Sequence, residues 1–290
     1  MTRRRADAVL LLATALWGVS FPAVKIGLGY ASPLAFLALR FALGALVLAP
    51  GTALRPAPGG RELAAGLLLA GLLAVGFAFQ VVGLVYTTPA RSAFIVAVSS
   101  VLAPVVAFVV LGQRTRWWTL GALALAGVGI YLLTAPGAGG LNRGDALTFG
   151  TALVFGGHIV AVAEFSTRYD ARRLVWMQTA GTALGAGVAM LVLEDVRIRW
   201  TGALAGALGY TAVFATALAL LWQMRAQRYM SSARAALIFC FEPVFAAAAS
   251  WLWLGERLSV SQFAGGALIL VAMILADLPA AASWRRTTFR

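Results

Sequence analysis

Cysteine, histidine and lysine each occur once in this 290-residue chain, at Cys240, His158 and Lys25. One cysteine excludes an intrachain disulfide and a cluster of thiolate ligands, and one histidine excludes a multi-histidine metal centre. The lone lysine lies outside any Gly-x4-Gly-Lys-Ser/Thr run, so no P-loop is present to hydrolyse ATP. Charge is scarce as well: 11% of the residues are charged, against about 25% in soluble domains. The net charge is +13, but no long Lys/Arg block exists and the basic residues sit between apolar segments. That distribution argues against a nucleic-acid partner. No cofactor and no metal site is expected.

Apolar residues are what the chain has in excess. Hydrophobic residues reach 61% and the mean hydropathy is +0.89, so the expected class is an all-α integral membrane protein. Ten apolar stretches are long enough, or nearly so, to span a hydrocarbon core of ~30 Å. They are roughly 8–29, 34–49, 63–86, 93–111, 117–135, 146–165, 174–193, 201–224, 235–254 and 260–276. Their length and lack of alternation favour helices over a barrel. The second and tenth are short and would rely on snorkelling flanks or local thinning. The first follows Arg3–Arg5 and runs through Trp17–Gly18 to Lys25 without a small-x-small cleavage site, so it is expected to be a retained helix. Sixteen of the 23 Lys and Arg residues fall on the side that holds the N-terminus, six on the other, and Arg40 inside a segment. This bias predicts a multi-pass cell (inner) membrane protein with both termini cytoplasmic.

The chain is also written twice. Residues 80–114 and 223–257 align without a gap at an offset of 143, with eleven identical pairs. Among them are Gln80/Gln223, Tyr86/Tyr229, Arg91/Arg234 and Leu111–Gly112/Leu254–Gly255. Duplication in so apolar a chain is the mark of a transporter built from structural repeats. The expected units are 6–135 and 144–279, with five helices each. Because five is odd, the second unit must enter the membrane from the opposite face, giving two inverted five-helix repeats. Arg91 and Arg234 then lie on opposite faces, in connections 87–92 and 225–234 that are candidate gates. Pro104 and Pro243, displaced by four residues between the halves, are each expected to loosen their helix.

Certain segments carry a family resemblance. Trp17–Gly18 with Phe21 and Lys25, Leu39–Arg40–Phe41, and Phe241–Glu242–Pro243–Val244–Phe245–Ala246 followed by Leu254–Gly255–Glu256–Arg257 resemble the EamA-type members of the drug/metabolite transporter superfamily. The resemblance covers essentially the whole chain and rests on the order, spacing and duplication of these motifs. It implies ten helices in two inverted repeats around a central cavity. It also implies export of amino acids, other small metabolites or drugs, with uptake in some members. The first half departs from the pattern: Gln113 stands opposite Glu256, and Ser99 opposite Glu242. The halves are therefore not functionally equal.

Glu242 is the only acid well inside an apolar stretch. A charge there costs roughly 2.5–3.5 kcal/mol on insertion scales, so it should face a cavity or a partner. It is a candidate for proton coupling or for binding a substrate amine, and equally for bonding backbone freed by Pro243. Arg40, opposite Gln178 at an offset of 138, either binds a substrate carboxylate, pairs with Glu242, or snorkels toward the headgroups. Lys25 reads as an interface anchor. Trp17 is a candidate cavity wall, whereas Tyr86 and Tyr229 suit either a wall or the interfacial aromatic belt. Gln80 and Gln223 must find each other, a substrate or water. His158, beside Gly156–Gly157, is a candidate proton carrier or an interhelical hydrogen-bond partner. Gly181-x3-Gly185 and Gly202-x3-Gly206 fit helix packing within one chain. Helices five and ten, without charged or amide groups in their cores, are expected at the periphery, and helices one to four and six to nine around the cavity.

These features predict a secondary active transporter, not an enzyme. It would export small metabolites such as amino acids or drug-like compounds by alternating access, with protons as a candidate coupling ion. Its partners would be a small-molecule substrate and the lipid bilayer, and its state a monomer or weak homodimer. Uptake is the alternative within transport. A scaffold subunit has little loop surface to work with. An intramembrane Ser–His protease built on Ser20 and His158 leaves the duplication unexplained.

Overall fold

The computed structural model describes residues 2–52, 57–112, 117–134, 140–230, 235 and 238–283. Among these residues no strand forms; one antiparallel bridge joins Ala31 and Ile198. The helices are α1 (Arg3–Leu28), α2 (Pro33–Leu48), α3 (Gly60–Tyr86), α4 (Pro89–Ala97), α5 (Ser99–Leu111) and α6 (Trp117–Thr134). They continue with α7 (Arg143–Phe165), α8 (Ala171–Leu193), α9 (Gly202–Tyr210), α10 (Ala219–Gln227), α11 (Glu242–Leu254) and α12 (Val260–Ser283). A π-helical stretch, Thr211–Leu218, joins α9 to α10 in one continuous rod. With α4–α5 and α9–α10 each taken as a single run, seven helices are long and apolar enough to cross a membrane. The protein is an all-helical, multi-pass membrane protein.

Several helix boundaries are set by caps. Thr2, Thr88, Asp170 and Thr201 accept a backbone N–H in the first turn of α1, α4, α8 and α9. Asn142 and Asp145 form a reciprocal capping box on α7. The tenth stretch is longer than expected, because α12 runs on to Ser283. The second gains a turn from a 3-10 segment, Ala49–Gly51.

The helix breaks lie elsewhere than the prolines suggest. α4 gives way to α5 at Val98, whose N–H reaches back only three residues to the Ile95 carbonyl at 3.2 Å. Phe241, 143 positions on, does the same to Ile238 at 3.2 Å. Each break opens a 13-residue helix, α5 or α11. Each of those helices ends at a left-handed glycine, Gly112 with φ 65° and Gly255 with φ 66°. Only glycine takes that conformation without steric cost, which explains the twin Leu–Gly pairs. Pro243 occupies the first turn of α11, where no intrahelical N–H is needed, so it starts a helix instead of loosening one. Pro104 lies in the interior of α5.

The halves interleave. α3 packs against α7 and α8, α2 against α8, and α1 against α10 and α11. α6 and α12 pack chiefly on one another. One end of the bundle is tied by polar contacts. Lys25 Nζ donates to the Leu84 and Thr87 carbonyls at 2.5 and 3.0 Å, capping the last turn of α3. Lys25 is thus a helix cap and not only an interface anchor. Asp145 accepts from Thr87 Oγ1 at 2.7 Å and pairs with Arg91 at 2.5 Å. Arg91 also reaches the Gly140 carbonyl, and Glu256 accepts from the Ala90 N–H at 3.2 Å. The opposite end holds the Glu62–Arg173 pair at 2.9 Å and an apolar cluster that includes Ala6, Leu10, Ala226 and Phe239.

Candidate functional site

A cleft of about 680 Å³, its open mouth included, lies between the halves. α1, α3 and the α4–α5 junction line it from the first half; α7, α10 and the start of α11 line it from the second. α2 and α8 do not reach it, which corrects the expectation that helices two and seven would.

Close approach of α1 to α11 sets the acid beside the tryptophan. A Cβ on Gly18 would sit 2.6 Å from the Phe245 Cβ and 2.7 Å from the Glu242 carbonyl oxygen. No other residue allows this contact. Trp17 and Glu242, next to the crossing, both line the cleft. The Trp17 indole N–H donates to the Ala215 carbonyl at 2.8 Å, inside the π-helical stretch. Its ring lies 5.9 Å from that of Phe239. A π-helix displaces backbone carbonyls from the usual ladder, and such segments recur at functional sites. Tyr210 ties the same rod back to α1 through the Leu16 carbonyl at 2.9 Å.

Gln80 and Gln223 both line the cleft. They do not bond each other, and neither amide, nor the Glu242 carboxylate, has a hydrogen-bond or ion-pair partner among the described residues. Three polar groups therefore face one cleft with no partner among the described residues. Glu242 also heads α11, where the helix dipole favours a negative group.

Arg40 and Gln178 stand one layer back. Arg40 is 1% exposed, so it does not snorkel. Its Nε donates to Thr216 Oγ1 at 2.8 Å, and its guanidinium carbon lies 4.8 Å from the centre of the Phe77 ring, a cleft wall. It forms no ion pair with Glu242. Gln178 Oε1 lies 3.0 Å from His158 Nε2, and His158 is on the wall. These two offset twins thus brace lining residues from behind. Ser20 donates to the Trp17 carbonyl at 2.6 Å, not to His158, so no Ser–His dyad exists.

Tyr86 is 55% exposed and away from the cleft, as is Tyr229 at 45%. Arg91 is buried on Asp145, and Pro104 lies outside the lining. Arg234, Gln113 and the Arg91-like half of the second connection lie outside the described residues. Sequence reasoning missed the aromatic walls Phe21, Phe77, Phe155 and Phe239. Phenylalanine is common in apolar helices and carries no signal of which face meets the cleft.

The EamA-like transporter family matches residues 4–135 and again 142–276. The chain belongs to this family. A transporter of Archaeoglobus fulgidus is 35% identical over 95% of this chain and 87% of its own length. An Escherichia coli protein named as a probable amino-acid metabolite efflux pump is 29% identical over 93% of this chain and 94% of its own. A Streptantibioticus cattleyicolor protein named as a probable terminal-alkyne amino-acid exporter is 25% identical over 95% and 94%. A solved crystal structure superposes with a TM-score of 0.71 at 19% identity, over 98% of this chain and 99% of the other, which shows a shared fold. Family and relatives alike indicate a transporter and not an enzyme.

Proposed function

We propose that this EamA-family protein is a secondary active exporter of small metabolites, amino acids and drug-like compounds among them. It works across the inner membrane by alternating access and is energised by proton exchange at Glu242. The observation that carries this reading is the cleft itself. It lies between the halves, is lined from both, and holds one acid and two twin amides that have no partner among the described residues.

In this reading ten spans form two inverted repeats, units 6–135 and 144–279, with both termini cytoplasmic. The exchange of packing partners supports it: α3 lies on α7 as the α9–α10 rod lies on α1. So does the shared break at Val98 and Phe241. Rocking one repeat against the other then exposes the same cleft to either face. Opening at the end that holds Arg91 requires parting of the Arg91–Asp145 pair, which gives Arg91 its gating role.

The test is metabolite profiling of medium and cytosol. Cells that overproduce the wild type are compared with cells that make equal amounts of Glu242→Gln. Compounds that move to the medium only with the wild type are the expected outcome. Equal movement with both proteins keeps the transporter and removes Glu242 from coupling. Movement with neither, at confirmed membrane levels, contradicts export.

A further inference from the structure

The lining has one sign of charge. Glu242 is the only charged residue among the described residues that face the cleft. The buried cations of the bundle are engaged elsewhere. Lys25 caps α3, Arg91 pairs with Asp145, and Arg40 bonds Thr216 and lies behind the Phe77 ring, outside the lining. A molecule that enters therefore meets a carboxyl group, two carboxamides and the faces of aromatic rings, and no positive partner among the described residues of the lining. A lone carboxylate in a membrane-embedded cleft is costly until something neutralises it. A proton does so. A protonated amine does so as well, and it gains hydrogen bonds to carboxamide oxygens and cation–π contact with Trp17 or a neighbouring phenylalanine. A zwitterion brings its own carboxylate and leaves one negative charge unmatched. An anion adds a second, and like charges at close range cost several kcal/mol in general.

We propose that the cleft selects organic monoamines: a protonated amine on a flat apolar body, with no free carboxylate. The ammonium rests on the Glu242 carboxylate, its remaining N–H groups turn toward the Gln80 and Gln223 amides, and the body lies among the rings of Trp17, Phe77 and Phe239. This rests on the transport reading and narrows its substrate class: of the small metabolites named there, amines are kept and zwitterionic amino acids are set aside. Proton and amine compete for the same carboxylate, so each displaces the other, which is the condition for exchange.

Three probes share one body and differ in charge: phenethylamine, phenylalanine and 3-phenylpropionate. The measurement is displacement of radiolabelled phenethylamine from the purified full-length chain in detergent, in a form shown to be monodisperse. Phenethylamine should displace at a concentration at least about tenfold lower than phenylalanine, the ratio expected for ~1.4 kcal/mol. Phenylpropionate should not compete. Binding should weaken as pH falls, because protons take the carboxylate. Glu242→Asp should keep the order of preference, and Glu242→Gln should lose the amine preference while staying monodisperse. Equal displacement by phenylalanine, a preference that survives Glu242→Gln, or no saturable amine binding would each overturn the proposal. Export of a carboxylate-bearing compound in the profiling above would keep the transporter and overturn the amine selectivity.

Discussion

The α4–α5 junction and the start of α11 share a backbone and differ in chemistry. Both break at the same repeat position, both open a 13-residue helix, and both end at a left-handed glycine. Just past the break one half carries Ser99–Ser100 and the other Glu242–Pro243. All four residues follow directly on the turn, and Ser99, Ser100 and Glu242 line the cleft. Duplication preserved the device that brings a helix start to the centre of the bundle. It left the side chain delivered there free to diverge. One acid at a position the duplication repeats makes the site asymmetric.

The comparison can be broken most severely at the acid. Glu242→Gln should lower flux of an exported substrate by about a hundredfold, as loss of an essential proton-transfer group does. Thermal stability should hold or rise, since an unpaired buried charge is removed. Flux assays with melting curves on the same preparations check both. Moving the acid in the double variant Ser99→Glu/Glu242→Ser tests whether position within the pair matters: the protein should fold, and flux should not recover.

Next in size is the tied end of the bundle. Arg91→Gln should destabilise by about 3–5 kcal/mol, because it strands the buried Asp145 carboxylate. Asp145→Asn in the same chain should recover part of that loss, and a double-mutant cycle on denaturation midpoints measures the coupling. Gly18→Val should cost about 1–3 kcal/mol by forcing α1 off α11. It should also slow transport through displacement of Trp17 and Glu242. The smallest effects sharpen the symmetry itself. Gly112→Ala and Gly255→Ala should each cost about 1 kcal/mol, and by equal amounts, since φ differs by one degree between them. Unequal costs would show that the two caps bear different loads.

Much of this was legible in the residues. Helical class and membrane residence follow from composition, because apolar length is a property of the chain alone; the family was marked by the resemblance of motifs such as Trp17–Gly18 and Phe241–Glu242–Pro243. Glu242, Trp17, His158, Gln80 and Gln223 could be singled out because polar or bulky groups inside apolar stretches are costly and few. Which face each presents was not legible. Arg40 and Gln178 sit at equally suspicious positions, and both brace the wall from behind. Their placement depends on how α2 and α8 pack, which no local pattern encodes. The π-helical stretch was hidden as well, since Thr211–Leu218 reads as ordinary helix, and its contacts with Trp17 and Arg40 come from distant parts of the chain. Pro243 starts its helix instead of loosening it, and both halves break at the same repeat position although only one of them has a proline next to the break.

The most direct test of alternating access needs no substrate. Gln223→Cys in a Cys240→Ala background places one thiol in the cleft. A membrane-impermeant maleimide is then applied to intact spheroplasts and, separately, to inside-out vesicles. Labelling in both preparations is predicted, because each face reaches the cleft in turn. Labelling in only one of them, with the same thiol fully reactive after solubilisation, would contradict the account.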